Sequence, residues 1–300
     1  MKLLVVVSSL DLTQPFSATP AWWQLLKGLY EIGVEIIAAP YQGPAIESLW
    51  WRCERNPARW QGDAFKSLRD IARVIMPAKS AQMPAKAGEE GESWSDRALR
   101  TMAQTLIAPL WRRHLEGIVL HAPDIDAVLF LTVPLNHLKG VPAYIDWIDS
   151  MIALPSRRMS AHQFAVRGTN LGDIGNASLL PYLSFSKLRE YACRSRINLC
   201  ITRGAHASVY GSSSSRPFEL SAMAACIVAN PYKGLEEWFK PEREIVMVGS
   251  ADEAIERYQF LLAHDNERQS IGRAARARVL KQHTFRHRAR DLVRILKGYI

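Results

Sequence analysis

The residues with the most chemistry to offer stand close together: Ser212, Ser213, Ser214, Ser215, Arg216 and Glu219. Serine hydroxyls donate hydrogen bonds, and a planar guanidinium binds phosphate oxygens through two N–H groups at once. Pro217, with its fixed φ and missing N–H, suits the first position of a helix, and Phe218–Ala225 continues in good helix formers. The unpaired backbone N–H groups of a helix start add further donors. Together these groups match a diphosphate. Glu219 falls about one turn inside that start, where its carboxylate would reach a ribose hydroxyl. The plainer alternative is a polar loop followed by a favourable first-turn acid.

The elements that would position this cluster are legible on either side. Phe185, Leu188, Tyr191 and Ala192 form the apolar stripe of a helix, and Ile197–Thr202 alternates like a strand. Arg203 and His206 follow that strand, and Ser208 and Tyr210 lead into the serine run. Arg203 and Arg216 are the cations expected on a diphosphate. His206, Tyr210, Ser213, Ser214 and Ser215 supply further donors. Ile227–Ala229 reads as a short buried strand stopped by Asn230-Pro231, and Glu244–Val248 as another. Ser250 and Glu253 have capping-box spacing, Asp265 is placed to cap the next helix, and Thr284 starts the last.

The first half opens as a βαβ unit. Leu3–Val7 is a continuous apolar strand of the parallel-sheet kind. Thr19 caps a helix with Pro20 in its first turn, Trp22, Leu25, Leu26, Leu29 and Ile32 recur at helical spacing, and Gly33 ends it before the strand Val34–Ala39. The loop from Ser8 to Thr19 occupies the ligand position of α/β folds, beyond the carboxyl end of a strand. It lacks GxGxxG, which argues against a dehydrogenase. Ser8, Ser9, Asp11, Ser17 and Thr19 are its polar candidates. Glu47–Met76 reads as a basic amphipathic helix interrupted near Asn56-Pro57, residues 78–93 as a low-complexity mobile loop, and Trp94–Gly117 as helix. Ile125–Val133 is a parallel-sheet strand stopped by Pro134, with Asn136, His137 and Lys139 at its carboxyl end. His137 is the best-placed histidine for acid–base work or donor phosphate contact, against the plainer role of holding a turn. Helix is expected around Pro142–Met151, with Asp146 and Asp149 on an exposed face.

Composition sets the wider bounds. Three hundred residues at 48% hydrophobic and 22% charged can bury the core of one large domain or of two modest ones. The net charge of +9 favours anionic ligands or surfaces, yet no Lys/Arg run is interleaved with aromatics as a nucleic-acid groove prefers. Cys53, Cys193, Cys200 and Cys226 lie far apart without CxxC and read as reduced, mostly buried thiols of a cytoplasmic protein. No acidic pair suggests a metal. No apolar run approaches the roughly 20 residues of a spanning helix. Contact with a membrane is therefore expected to be peripheral at most, at the inner face, through Arg273, Arg276, Arg278, Arg286, Arg288 and Arg290 on anionic lipid or a polyanionic acceptor. Trp22, Trp23, Trp50 and Trp51 are read as core rather than sugar-stacking platforms.

From Arg203 to Arg290 the chain resembles the C-terminal, family 1-like domain of GT-B glycosyltransferases, in the branch related to spore-maturation glycosyltransferase-like proteins. The resemblance rests on Arg216-Pro217-Phe218-Glu219 with the small-residue helix after it, on Asn230-Pro231, and on Gly234-Leu235-Glu236 ahead of Trp238-Phe239. The run from His283 to Arg288 completes it. It implies an α/β fold of two Rossmann-like lobes facing a cleft, at about 1–150 and 156–300, with the first lobe and the interdomain crossing abbreviated. The terminal helix would pack back on the first lobe.

The resemblance further implies metal-independent transfer from a nucleotide-diphosphate sugar, UDP- or GDP-linked, to an unidentified glycan, lipid or protein acceptor, with no other cofactor. The shortening raises a second expectation, a catalytically impaired protein kept for binding or structure. A nucleotide-sugar epimerase of the same fold is a third. Where the family carries Gly, this chain has Ala224, whose methyl would crowd a ligand approaching backbone there.

Overall fold

A computed structural model of the chain describes residues 1–8, 20–61, 63–64, 67, 101–131, 145–168, 171–181, 184–202, 207 and 209–300. Two compact units emerge. One gathers the described residues of Met1–Gln14, Trp22–Pro134 and Ala289–Ile300, the other those of Pro15–Ala21 and Leu135–Arg288.

In the first unit β1 (Lys2–Ser8) lies between β2 (Glu35–Gln42) and β4 (Ala127–Leu131), with β3 (Arg52–Cys53) beyond β2, all parallel. Side chains alternate across a strand, so β1 feeds two cores. Leu3, Val5 and Val7 join Trp22, Leu26 and Leu29 of α1 (Ala21–Glu31), together with Ala289, Leu292, Val293 and Leu296 near the C-terminus. Leu4 and Val6 face Trp111 and Ile118 of α2 (Ala108–His121). Gly33, at φ +83, stops α1 with Val34 N–H on the Leu29 carbonyl, as expected of a left-handed C-terminal cap. Trp22, Trp23, Trp50 and Trp51 pack mutually at centroid distances of 5.0 to 6.3 Å, which makes them core as read. A small apolar cavity beside them is lined by Val7, Trp22, Ala38, Pro40, Ile46, Trp51 and Cys53 and contains none of the candidate residues.

The second unit repeats the scheme with β7 (Asn198–Cys200), β8 (Ile227–Ala229) and β9 (Val246–Met247) in parallel order, beside a separate parallel pair, β5 (Ala165–Val166) and β6 (Ser178–Leu179). Val228 and Val246 bury on one face, and Ile227 and Ala229 on the other.

Three expectations change. The start of the supposed helix from Glu47 is loop and strand, because Trp51 is drawn into the core and Arg52–Cys53 pairs with Ile37–Ala38. Helix does not stop at Gly117 or Met151. It runs to His121 in α2, and through α3 (Ile145–Ile148), a π turn (Asp149–Ala153) and α4 (Leu154–Arg158) in the second unit. Two helices with proline as their second residue, Pro109 and Pro155, follow a π turn. A proline lacks the N–H and crowds the carbonyl four residues back, and the wider turn makes room for it.

Ala224 also reads differently. The helix α6 (Arg216–Ala222), which follows α5 (Phe185–Arg194), ends in a Schellman motif: Ala224 N–H donates to Ser221 O and Ala225 N–H to Leu220 O, with Ala224 at φ +57. Its methyl therefore strains a helix cap and does not crowd the serine end. Behind it, a Cβ on Gly272 of α8 (Asp265–Gln282), the helix after α7 (Ala251–Ala263), would come within 2.1 Å of Ala224 O. Relief of the left-handed strain, less the added freedom of an unfolded glycine, predicts that Ala224→Gly gains roughly 0.5–1 kcal/mol in urea unfolding. Gly272→Ala is expected to lose about 1–3 kcal/mol by overpacking, and equal stability of the two variants would contradict this cap.

Candidate functional site

The site is built at the carboxyl ends of β7 and β8, where parallel sheets expose backbone to ligands. Asn230, fully buried, fastens the two ends. Its Oδ1 accepts from Thr202 N–H at 2.6 Å, and its Nδ2 donates to Thr202 O at 3.4 Å. Thr202 Oγ1 is buried there without a hydrogen-bond partner.

Beyond these ends the loop Tyr210–Ser215 runs into α6. Arg216 is the first helical residue and Pro217 the second, one position later than expected. Ser215 Oγ donates to Glu219 Oε1 at 2.9 Å. Glu219 Oε2 lies 3.0 Å from Arg216 Nη1 as an ion pair but is shielded from water without a properly aligned hydrogen bond. The two side chains are 42% and 25% exposed, so a solute can reach both. The structure thus brings Ser215, Arg216 and Glu219 together. Beneath them, burial pushes the Cys200 thiol up to about 12, with Arg216 and Glu219 both close enough to bear on it electrostatically. Cys226 is buried too and raised to about 11, Cys53 is half-buried, and Cys193 is exposed, contrary to a mostly buried set at that position.

Tyr210 and Ser213 are engaged elsewhere. Tyr210 Oη donates to Glu237 Oε1 at 2.6 Å, which raises the phenol's pKa, and Ser213 Oγ is 3.0 Å from Tyr232 Oη. The carbonyl of Ser214 accepts from Ser213 Oγ at 3.3 Å. The partners Tyr232 and Glu237 come from the segment after β8 and were not singled out by sequence. Their only signal was the word Gly234-Leu235-Glu236, whose Gly234, at φ +83, lets the chain turn back against Gly211. His137, Asn136, Arg203, His206, Ser9, Asp11, Ser17 and Thr19 lie outside the described residues.

The run His283–Arg288 is a packing joint between α8 and α9 (Phe285–Leu296). His283 stands edge-on to Phe218 and Trp238 at 5.7 and 5.6 Å, and its Nδ1 lies 3.0 Å from Arg288 Nη2. Arg288 sits over the Trp238 ring, and Arg278 donates to Trp238 O. Two of the six arginines expected on one basic face therefore turn inward. Ser250 caps α7 as expected, accepting from Glu253 N–H, but Glu253 reaches back to Gly249 N–H. Asp265 is the first residue of α8 rather than its cap, and binds Arg268.

Residues 149–294 match the family model described as glycosyl transferase-like. Curated proteins give no sequence match. Among solved structures the chain is similar to sucrose-phosphate synthase from Thermosynechococcus elongatus, at 14% identity and TM-score 0.53, over 99% of this chain and 98% of that one. It is also similar to a glycosyltransferase from Rickettsia africae (11%, 0.48, 99% and 98%) and to Anabaena HepE in complex with UDP-glucose (10%, 0.46, 98% and 99%). The first likeness defines the fold: α/β, of the GT-B type with Rossmann-like units. Among the described residues no helix is long and apolar enough to cross a membrane, and no three His, Cys, Asp or Glu side chains gather as a metal site.

Burial, then the charges of Arg288 and Arg278, hold the His283 pKa below its ordinary 6.5. A depressed folded pKa means that the unfolded chain binds the extra proton first, so this stability is complete above about pH 6.5 and is lost as pH falls. Wild type should therefore lose more melting temperature between about pH 7.5 and about pH 5 than His283→Asn does. Parallel profiles for the two proteins would contradict the assignment.

Proposed function

We propose that the protein transfers a glycosyl group from a nucleotide-diphosphate sugar, UDP- or GDP-linked, to a glycan, lipid or protein acceptor without a resident metal. The observation that carries this reading is the joining of Ser215, Arg216 and Glu219 on one helix start, inside the span that matches the glycosyl transferase-like family. Glu219 already accepts a hydroxyl from Ser215, and its second oxygen, shielded beside Arg216 without an aligned donor, becomes the acceptor for a ribose hydroxyl once that guanidinium moves. Arg216 then turns its fork to the diphosphate, where charge grows as the sugar leaves and where a fixed cation lowers the barrier most. Arg203 and His206 are proposed as further donors to the same phosphates, with His137 for acid–base work and Ser9, Asp11, Ser17, Thr19 and Asn136 toward the acceptor.

A second reading, a protein that keeps this lobe for binding or assembly alone, is favoured by one fact: Arg216 and Glu219 neutralise each other within the chain. Calorimetry with a nucleoside and its diphosphate separates the roles. Glu219→Ala should weaken uridine or guanosine and the matching diphosphate alike, by about 1.5–3 kcal/mol, as loss of a charged hydrogen bond does. Arg216→Gln should weaken only the diphosphate. If folded wild type binds neither UDP nor GDP, the transferase reading fails. Binding without transfer to any of a broad acceptor set would leave the second reading in place.

A further inference from the structure

Two pieces of chain make the candidate nucleotide site, the loop Tyr210–Ser215 and the first turn of α6, and one side chain touches both. Trp238 Nε1–H donates to Gly211 O at 2.9 Å. The edge of the same indole meets Phe218, the residue before Glu219, at 5.6 Å and 82°. Its own backbone is fastened from behind, because Trp238 O accepts from Arg278 Nε at 3.1 Å and the Arg288 guanidinium covers the ring at 5.5 Å. Gly211 N–H donates to Lys233 O at 3.1 Å, and a Cβ on Gly234 would come within 2.3 Å of Gly211 N, so loop and platform meet backbone to backbone.

We propose that Trp238 is the positioning residue of this site, setting the spacing between the serine loop and the Arg216–Glu219 turn. The proposal rests on the donor-site reading above. Hydrophobic packing alone would accept any aromatic here. The indole adds one directed N–H, which fixes where Gly211, and hence Ser212–Ser215, stands relative to the helix. Without the indole N–H that bond is lost, and the loop drifts while Phe218 and His283 keep the helix in place.

The test compares wild type, Trp238→Phe and Tyr258→Phe. The last removes the buried bond from Tyr258 Oη to Met151 O, 2.9 Å, in the core cluster on the other face of the sheet, and serves as a variant that is structural only. Hydrogen exchange without ligand should quicken at residues 211–215 in Trp238→Phe and not in Tyr258→Phe. Calorimetry with UDP and GDP should show about five- to tenfold weaker binding in Trp238→Phe alone, the size of one lost hydrogen bond. Unchanged exchange at the loop overturns the proposal, as does affinity that falls equally in both variants. If wild type binds neither nucleotide, the donor-site reading fails by itself, and exchange still decides whether Trp238 sets the loop.

Discussion

Parallel strands joined by helices must be covered on both faces, and much else in this chain follows from that constraint. In β1 and β8 alternate residues enter different cores, so no position from Leu3 to Val7 or from Ile227 to Ala229 is spared for chemistry. Polar function is pushed to the carboxyl ends, where the ladder stops and backbone groups come free. Asn230 is the visible result. A side-chain amide, fully buried, replaces the ladder beyond Cys200 and Ala229 and keeps the two ends together while the loops diverge.

At that edge the balance of charge is close. Arg216 and Glu219 form an ion pair at 3.0 Å, but both remain partly exposed, so the pair contributes little stability and is cheap to open. That suits a site whose cation and anion must be handed to different parts of one ligand. The loop in front is held differently. Its contacts with Tyr232, Lys233, Glu237 and Trp238 are short and directed, and they come from a segment that can turn back only because Gly234 is left-handed. A firm loop beside an exchangeable ion pair is what the proposed donor, with a nucleoside to hold and a diphosphate to release, would require.

Much of this was legible in residue order, and the failures have physical causes. The first strand, helix and second strand were readable because a five-residue apolar run and a 3.6-residue stripe are local signals, as was the Gly33 stop. Glu47–Cys53 misled because Trp50 and Trp51 satisfy a helical pattern, while the energy comes from packing them on Trp22 and Trp23, which no local pattern records. The helix expected around Pro142–Met151 runs on to Arg158 because the π turn before Pro155 is invisible in sequence. Within the site, Ser215, Arg216 and Glu219 are i, i+1 and i+4 on one turn and could be read directly. Tyr232, Glu237 and Trp238 reach the loop through tertiary closure, across 19 to 27 residues.

The most direct test of the account is photo-crosslinking of the native protein with azido-substituted UDP and GDP, followed by peptide mapping. The account predicts labelling within residues 211–219 that excess unlabelled nucleotide suppresses. Labelling confined to the first unit, or labelling that excess nucleotide leaves unchanged, would contradict it.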